Sequence, residues 1–152
     1  MSVDDGDAHG NEMTDGEIAD ALADIGYGTL SLQGESGPYA VPVSFGYDGD
    51  AVYTYLLRFG EESRKIDAAE RSERACLTAF EVESRFDWRS VVVAGTLEEV
   101  DDAEYAEEVM DDNAWHPSLF ASAATEPMTE VRRVRLRIDE ASGRKGEEYL
   151  RK

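Results

Sequence analysis

The chain is 152 residues long, the size of one domain that can bury its own hydrophobic core. Its 34 acidic and 15 basic residues give a net charge of -19, which argues against a nucleic-acid partner because such binding depends on neutralising phosphates with Lys and Arg. A hydrophobic fraction of 41% argues against disorder along the whole chain.

The first predicted element is a helix over residues 15–25. Residues 1–13 before it are acidic and lack hydrophobic periodicity, so we expect a disordered leader there. Thr14 and Glu17 have the spacing of a capping box, in which each side chain accepts a hydrogen bond from the other's backbone N–H. Apolar residues then recur at helical spacing, namely Ile18, Ala21, Leu22 and Ile25.

Three strands with period-two alternation are predicted next, over residues 27–33, 41–45 and 51–57. Short turns that contain glycine separate them. Such turns join antiparallel strands, because parallel neighbours need a long crossover connection. A helix is then predicted over residues 61–71, with Ile66 and Ala69 facing the core.

Two further strands are predicted over residues 75–82 and 89–100. The second contains residues 91–95, which are all apolar or glycine, so we expect this run to be buried on both faces. Residues 101–123 are expected to form a helix in two pieces. The break is placed near His116 and Pro117, because the residue before a proline avoids the helical region.

The last predicted strand covers residues 131–138, where Val134, Leu136 and Ile138 alternate with an exposed row of arginines. Six strands with few crossover helices favour an antiparallel sheet that closes into a barrel, with helices packed outside it. We therefore expect one mainly β domain over residues 14–145, followed by a tail over residues 146–152.

Composition also bears on the cellular setting. Most of the basic residues are arginine, and the large acidic surplus favours a surface adapted to high salt, where counter-ions screen carboxylate repulsion. An acidic protein from ordinary salt is the alternative. The single cysteine, Cys76, cannot form an internal disulfide, and the start of the chain lacks the pattern of a secretory signal. We expect a soluble, cytoplasmic protein.

Several kinds of catalytic site are disfavoured by the sequence. Two histidines and one cysteine do not make a zinc cluster. The motifs of serine hydrolases, zinc proteases, phosphate-binding P-loops and dinucleotide-binding folds are absent from the sequence. His9 is expected in solvent, and His116 is expected to be structural. A hydrolase that works through a side-chain triad is therefore not expected.

One local pattern does indicate a binding site. Ser63, Arg64 and Lys65 open a predicted helix directly after a strand. A hydroxyl and two cations at a helix N-terminus favour an anion, because the free N–H groups and the helix dipole attract negative charge there. The alternative is a solvated pair of cations that bridges to the neighbouring carboxylates of Glu61, Glu62 or Asp67.

The order of several segments resembles the flavin-binding core of the pyridoxamine 5'-phosphate oxidase-like superfamily, and especially its short nitroimidazole-resistance-type proteins. The segments that carry this resemblance are residues 37–45, 47–53, 63–65, 88–98, 134–139 and 142–145. The resemblance implies an antiparallel split β-barrel that binds FMN and forms a homodimer with the flavin at the interface. The chain lacks the C-terminal Trp and Arg-rich substrate segment of the true oxidases, which disfavours that particular activity.

The resemblance also implies a set of cofactor-binding residues. Those that would support the isoalloxazine ring are Pro42, Val43 and Ser44. Those that would line the ribityl chain are Tyr53, Thr54 and Tyr55. Those that would hold the FMN phosphate are Ser63, Arg64 and Lys65. Those that the second subunit would add are Trp88, Arg89 and Ser90.

The function that this resemblance implies is that of an FMN-dependent oxidoreductase with a small-molecule substrate or electron donor. No residue of the sequence is assigned as the catalytic acid or base. Two alternatives keep the same fold. One is a barrel that binds deazaflavin or haem, and the other is a flavin-binding protein without catalytic activity.

Overall fold

The computed structural model describes residues 10–59, 64–113 and 128–149. Its strands are β1 (Asn11–Glu12), β2 (Tyr27–Gly34), β3 (Gly37–Ser44), β4 (Gly46–Tyr47), β5 (Ala51–Phe59), β6 (Arg74–Ser84), β7 (Asp87–Glu99) and β8 (Met128–Lys145). Its helices are α1 (Asp15–Ile25), α2 (Arg64–Arg71) and α3 (Ala103–Asp111). No helix in these three segments is long and apolar enough to cross a membrane.

The strands form one antiparallel sheet in the order β3-β2-β6-β7-β8-β5-β4, and β1 is added beside β8. The two strands at the ends of this order, β3 and β4, are consecutive in the chain and are joined at Phe45, which is fully buried. The two ends of the sheet therefore meet, and a hydrogen bond of 2.7 Å from the Thr54 hydroxyl to the Ser44 carbonyl oxygen links β3 to β5. The prediction of an antiparallel split barrel is confirmed, and the structure places the split between β3 and β5.

Helix α1 begins and ends where the sequence predicts. The Thr14 backbone N–H donates to the Glu17 carboxylate at 3.0 Å, and the Glu17 N–H donates to the Thr14 hydroxyl at 3.2 Å. Gly26 ends the helix with a φ of 72°, a conformation that glycine adopts without steric cost. The four residues predicted to face the core are all buried, namely Ile18, Ala21, Leu22 and Ile25.

The main core fills the interior of the barrel, and the buried sides of α1 and α2 pack against it. Inward residues of the central strands include Leu30, Leu77, Val93 and Leu136, each of them at most 2% exposed. Removing a side chain of this size from water stabilises a fold by about 1.5–3 kcal/mol. A second, smaller cluster lies between α3 and the outer face of β5, and its buried members are Ala51, Tyr53, Val100, Ala106, Val109 and Met110.

The structure differs from the prediction at both ends of the domain. Asn11 pairs with Lys145 and Glu12 pairs with Arg144, and Met13 is buried. The end of the predicted disordered leader therefore belongs to the sheet. At the other end, the Gly146 N–H donates to the Trp88 carbonyl oxygen at 2.8 Å. The pairing partners are far away in the chain, which is why local composition did not indicate them. Residues 1–9 and 150–152 lie outside the described residues.

The expectation that residues 91–95 are buried on both faces is wrong. Val91 and Val93 are buried in the core, but Val92 is 40% exposed on the outer face of β7. Thr78 lies opposite Val92 on β6, and Phe80 and Val82, farther along the same face of β6, are 55% and 63% exposed. These exposures leave the described outer face of β6 and β7 open to solvent.

The helices after β5 and β7 agree with the prediction where they are described. Ile66 and Ala69 of α2 are buried as expected, and α3 lies within the helical region predicted after residue 101. Residues 60–63, and with them Ser63, lie outside the described residues. So do His116 and Pro117, where the helix break was predicted.

The arginines of β8 do form a row on its outer face, but the row is only partly exposed. Arg137 is exposed, while Arg135 and Arg133 are half-buried. Arg135 and Arg137 both bind Glu98, and the hydrogen bond from Arg135 holds the pKa of the Glu98 carboxyl below its usual range. Ion pairs with the neighbouring strand therefore neutralise much of the row.

Candidate functional site

Helix α2 packs against β2, β3 and β5, across the opening of the split barrel. Its buried residues are Ile66, Ala68 and Ala69. Because an α-helix repeats every 3.6 residues, burying this side leaves Arg64 and Arg71 together on another side of the helix. Arg64 and Lys65 are the first two residues of α2 as described, so they lie at one end of the helix that packs across the opening.

Arg64 and Lys65 have no carboxylate partner among the described residues. The Arg64 guanidinium lies over the Tyr39 ring, 5.1 Å from its centroid. Lys65 is half-buried, and its burial lowers the pKa of its ammonium group. Asp67, one of the partners considered from the sequence, instead contacts Arg58 at 3.5 Å. Glu61 and Glu62 lie outside the described residues.

Most other cations in the described segments are neutralised by carboxylates. The basic residues in ion pairs are Arg58, Arg74, Arg89, Arg132, Arg135, Arg137, Arg144 and Lys145. In a chain with more than twice as many acids as bases, an unpaired cation is the exception. Three of these exceptions, Arg64, Lys65 and Arg71, occur on the single helix α2.

The residues predicted beneath the flavin ring lie along β3, at the end of the sheet. Pro42 points outward and is exposed, whereas Val43 points into the core. Ser44 is buried, and its carbonyl oxygen accepts the hydrogen bond from Thr54. The structure thus brings Ser44 and Thr54 together where β3 meets β5, and it places Pro42 on the outer face of β3.

The two tyrosines predicted to line the ribityl chain are on the other face of β5 from Thr54. Tyr53 is 3% exposed and lies beneath α3, where its ring meets that of Tyr105 edge to face at 5.6 Å. The Tyr55 ring packs under the Arg133 guanidinium at 5.5 Å. Alternation along a strand puts neighbours on opposite faces, so Tyr53 and Tyr55 are not brought together with Thr54.

The three residues predicted to come from a second subunit have different environments. Arg89 is 6% exposed and binds Glu81, with 2.6 Å between its Nε and the carboxylate oxygen, and Asp24 lies 3.7 Å away. Its charge is therefore already neutralised within the chain. Trp88 faces Val82 across the strands, and Ser90 lies opposite Phe80 on the outer face.

Two cavities lie near these residues. The first, which we call the acidic cavity, has a volume of about 280 Å³ and is lined by Met13, Glu17, Asp20, Asp24, Glu81, Glu83, Asp87, Trp88, Arg89 and Tyr149. The second, which we call the α2 groove, has a volume of about 220 Å³ and is lined by Gly34, Glu35, Ser36, Gly37, Pro38, Tyr39, Arg64, Asp67, Ala68 and Arg71. Among the described residues, no group of three or more acidic, histidine or cysteine side chains could hold a metal ion.

Arg71 is the residue of the groove that sequence reasoning missed. It follows Arg64 by seven positions, which is almost two helical turns, so the two side chains share one side of α2. That spacing was visible in the sequence. Its meaning depended on the position of the β2–β3 turn, which closes the other side of the groove.

Comparison with known proteins agrees with this arrangement of strands and helices. The sequence profile of the family described as "Pyridoxamine 5'-phosphate oxidase" matches residues 14–145, nearly the whole described domain. This chain belongs to the pyridoxamine 5'-phosphate oxidase family. The resemblance inferred from the order of the sequence segments is thereby confirmed. No match was found among curated proteins.

Solved structures show the same fold at low sequence identity. An FAD-binding protein from Mesorhizobium loti superposes with a TM-score of 0.67 and 22% identity, covering 88% of this chain and 95% of that one. A Bacteroides thetaiotaomicron protein provisionally described as a 5-nitroimidazole antibiotic resistance protein gives 0.62 and 19%, covering 87% and 84%. The FAD and haem binding protein of Mycobacterium smegmatis gives 0.64 and 21%, covering 91% and 74%.

Proposed function

We propose that this chain is a flavoprotein that binds FMN through the N-terminus of α2 and acts as an FMN-dependent oxidoreductase. The observation that carries the proposal is the pair Arg64 and Lys65, which have no carboxylate partner within residues 10–59, 64–113 and 128–149 and lie at the opening of a family-typical split barrel. The similarity to FAD-binding and to FAD and haem binding proteins supports a flavin as the class of ligand.

The physical reason is that no carboxylate of the described residues supplies a counter-charge to Arg64 and Lys65. Desolvation makes the half-buried Lys65 ammonium costly when it has no anion beside it. A phosphate dianion would supply that charge, and Arg64 could bind two phosphate oxygens at once through its planar guanidinium. The start of α2 favours the same anion, because the helix dipole places partial positive charge there.

The ring of the flavin would lie against β3. Exposed Pro42 offers an apolar surface there, and the Thr54 to Ser44 hydrogen bond holds β3 and β5 at a fixed separation. When bound, the isoalloxazine ring supplies hydride or electron transfer. The protein's own residues would bind the phosphate, orient the ring and exclude water. No proton donor or acceptor is assigned.

We propose that the protein works as a homodimer with the flavin at the interface. Two rows of cross-strand neighbours cross the outer face of four strands, Pro42–Thr29–Thr78–Val92 and Ala40–Ser31–Cys76–Ala94, and none of these residues is charged. In a chain in which 32% of residues are charged, such a surface favours contact with another protein surface. Exposed Phe80 adds apolar area beside it. Trp88 and Ser90 of a second copy would then lie near the flavin.

The proposed setting is a salt-rich cytoplasm. The free Cys76 is compatible with a reducing compartment, and a charge of -19 requires screening to limit self-repulsion.

The test is reconstitution with FMN, measured by flavin absorbance after gel filtration. The double variant Arg64→Ala/Lys65→Ala should lose at least about a hundredfold in FMN affinity, because each of the two lost charge-assisted contacts weakens binding by about 1.5–3 kcal/mol. The control Arg85→Ala/Arg137→Ala removes the same charge from two exposed sites remote from α2 and should keep the flavin. Light scattering on the same samples should give the mass of two chains.

Full flavin occupancy in the Arg64→Ala/Lys65→Ala variant would show that these residues do not hold the phosphate. A wild-type protein that rejects FMN but binds haem or a deazaflavin would replace FMN by that cofactor. Bound FMN that neither nicotinamide cofactor nor another reductant reduces would leave a flavin-binding protein without the proposed activity.

A further inference from the structure

Helix α3 packs on the barrel through a hydrophobic cluster that is separate from the main core. Its own buried residues are Ala106, Val109 and Met110, and they pack against Ala51 and Tyr53 of β5. None of these five residues belongs to the main core. A small peripheral cluster of this kind opens locally at a lower free-energy cost than a central core does.

The backbone of α3 approaches β4 closely at Gly46. A Cβ atom on Gly46 would lie 2.5 Å from the Val109 carbonyl oxygen and 2.9 Å from its carbonyl carbon, which is too close for a side chain. The helix therefore requires glycine at this position in order to dock. Gly46 directly follows Phe45, where the two ends of the sheet meet, so the docking of α3 bears on the closure of the barrel.

Two side chains attach the ends of α3 to the sheet. In its first turn, the Tyr105 hydroxyl donates a hydrogen bond to the Asp48 carboxylate at 2.7 Å. Just beyond its last turn, the Asn113 side-chain amide donates to the carbonyl oxygen of Gly26 at 2.7 Å and to that of Phe45. The second attachment holds the junction of β3 and β4, beside the split of the barrel.

The charges of α3 oppose its helical, docked state. Residues 101–112 contain seven acidic residues and no basic residue. Glu104 and Glu108 are four positions apart, as are Glu107 and Asp111, and like charges at this spacing destabilise a helix. Asp112, at the C-cap, adds a negative charge at the negative end of the helix dipole.

Two arginines of β8 lie near this face of the sheet, but each already has a partner. Arg135 lies 3.4 Å from the Tyr53 hydroxyl and is bound by Glu98. The Arg133 guanidinium lies over the Tyr55 ring. Screening by dissolved ions is therefore an important means of weakening the repulsion along α3.

We propose that α3 is a salt-sensitive strap. At high ionic strength it docks on β4 and β5 and fixes the β3–β4 junction at the split. At low ionic strength it leaves the sheet as a unit, while the rest of the barrel stays folded. Neighbouring carboxylates on the helix are about 6 Å apart, and the screening length is about 3 Å at 1 M salt but about 30 Å at 0.01 M. The strap does not depend on which ligand the barrel binds.

Hydrogen exchange of backbone amides, followed by mass spectrometry at about 0.01 M and about 1 M salt, tests this proposal. Amides of residues 104–113 should exchange at least about tenfold faster at the lower salt concentration, because two like-charge pairs and one unfavourable helix-end charge are then unscreened. Amides of residues 75–82 and 89–97, in β6 and β7, should keep their protection in both conditions.

A charge variant tests the cause of the release. Glu107→Gln/Glu108→Gln breaks both like-charge pairs of α3 and should reduce the salt effect on its amides to less than about threefold. The control Glu35→Gln/Glu73→Gln removes the same charge from two exposed sites outside α3 and should keep the full effect.

A second variant tests the docking contact itself. Gly46→Ala places a methyl group against the Val109 carbonyl and should speed exchange in α3 at high salt, with β6 and β7 still protected. The control Gly16→Ala adds the same methyl group where the nearest atom is 3.9 Å away, and it should not speed exchange in α3.

Three outcomes would overturn the proposal. If α3 and the β6–β7 amides lose protection together at low salt, α3 does not open as a separate unit. If Gly46→Ala exposes β6 and β7 as much as α3, the helix is not separable from the barrel. If Glu107→Gln/Glu108→Gln keeps the full salt effect, repulsion along α3 is not its cause.

Discussion

The acidic cavity and the α2 groove are similar in size, but they differ in whether the arginines of their linings are paired with carboxylates. In the acidic cavity, six carboxylates surround one arginine, and that arginine is buried and held by Glu81 and Asp24. In the α2 groove, two arginines face two carboxylates, and neither arginine is held by an ion pair within the described part of the chain. The arginine of the acidic cavity is therefore neutralised by the fold itself, whereas the arginines of the α2 groove are available to an anionic ligand.

This difference distinguishes an arginine whose charge is neutralised within the fold from one whose charge is available to a ligand. Arg89 has already exchanged water for protein partners, so binding a ligand would require it to break contacts that stabilise the domain. Arg64 and Arg71 retain their water and lose little on meeting an anion. The number of arginines near a cavity therefore says less about binding than whether their partners are within the chain.

The largest effect should come from Arg89→Ala. Breaking a buried pair costs about 3–5 kcal/mol, and because Glu81 is partly exposed and can regain water, we expect a loss of about 2–3 kcal/mol in the free energy of unfolding. Chemical denaturation at high salt measures it. The matched variant Arg64→Ala should change stability by less than about 0.5 kcal/mol. Equal losses in the two variants would contradict the distinction between the two regions.

A smaller effect should appear as pH dependence on the side of the acidic cavity. The hydrogen bond from Lys145, with that from the Thr14 N–H, holds the pKa of Glu17 below its usual value of 4.5. The stabilisation is therefore complete above the unfolded pKa and is lost as pH falls through the lower, folded pKa.

The variant Glu17→Gln should lower stability at neutral pH by about 1 kcal/mol, through the loss of a charge-assisted hydrogen bond. Its stability should also fall less than that of wild type when the pH drops below 4.5. Denaturation midpoints across the acidic range measure both. Arg71→Ala is the control and should follow the wild-type pH profile. A Glu17→Gln profile parallel to wild type would show that the Lys145 contact contributes nothing.

The smallest effect should be a salt-dependent change in stability, which we expect to be a gain for a variant in the acidic cavity and a loss for a variant on α2. Glu83 lines the acidic cavity without an ion pair in the described segments, so Glu83→Gln should raise stability at low salt by about 0.3 kcal/mol. Glu70 on α2 pairs with Arg132 at 3.0 Å, so Glu70→Gln should lower it by a similar amount. Both differences should vanish near 1 M salt, where the screening length is about 3 Å. Thermal midpoints at two salt concentrations measure whether each variant gains or loses stability at low salt. A change in the same direction for both variants would contradict the expected difference between the two regions.

Much of the fold could be predicted because its signals are local. The capping box of Thr14 and Glu17 and the spacing of Ile18 and Leu22 are contained in a few consecutive residues, and the structure reproduces them. The alternation of Val134 and Leu136 likewise predicted which residues of β8 enter the core. Family membership followed from the order of such segments, none of which was decisive alone.

The candidate site was predictable only in part. The position of Arg64 and Lys65 at the start of α2 was predicted because a helix N-terminus can be recognised from adjacent residues, and their role in holding a phosphate stays a prediction. Arg71 was missed because its relevance depends on a turn more than thirty residues away in the chain. Tyr53 and Arg89 were assigned to the flavin by resemblance, yet α3 covers the first and Glu81 neutralises the second.

The sequence by itself determined where the three helices and the six longer strands lie and which residues of a strand share a face, because both depend on periods of 3.6 and 2 residues along the chain. Only the tertiary structure decided which face is covered. It placed Val92 on an uncovered outer surface, added Asn11 and Glu12 to the sheet and gave Arg89 its partners. Burial and ion pairing depend on distances between segments that are far apart in sequence, and the folded sheet alone sets those distances.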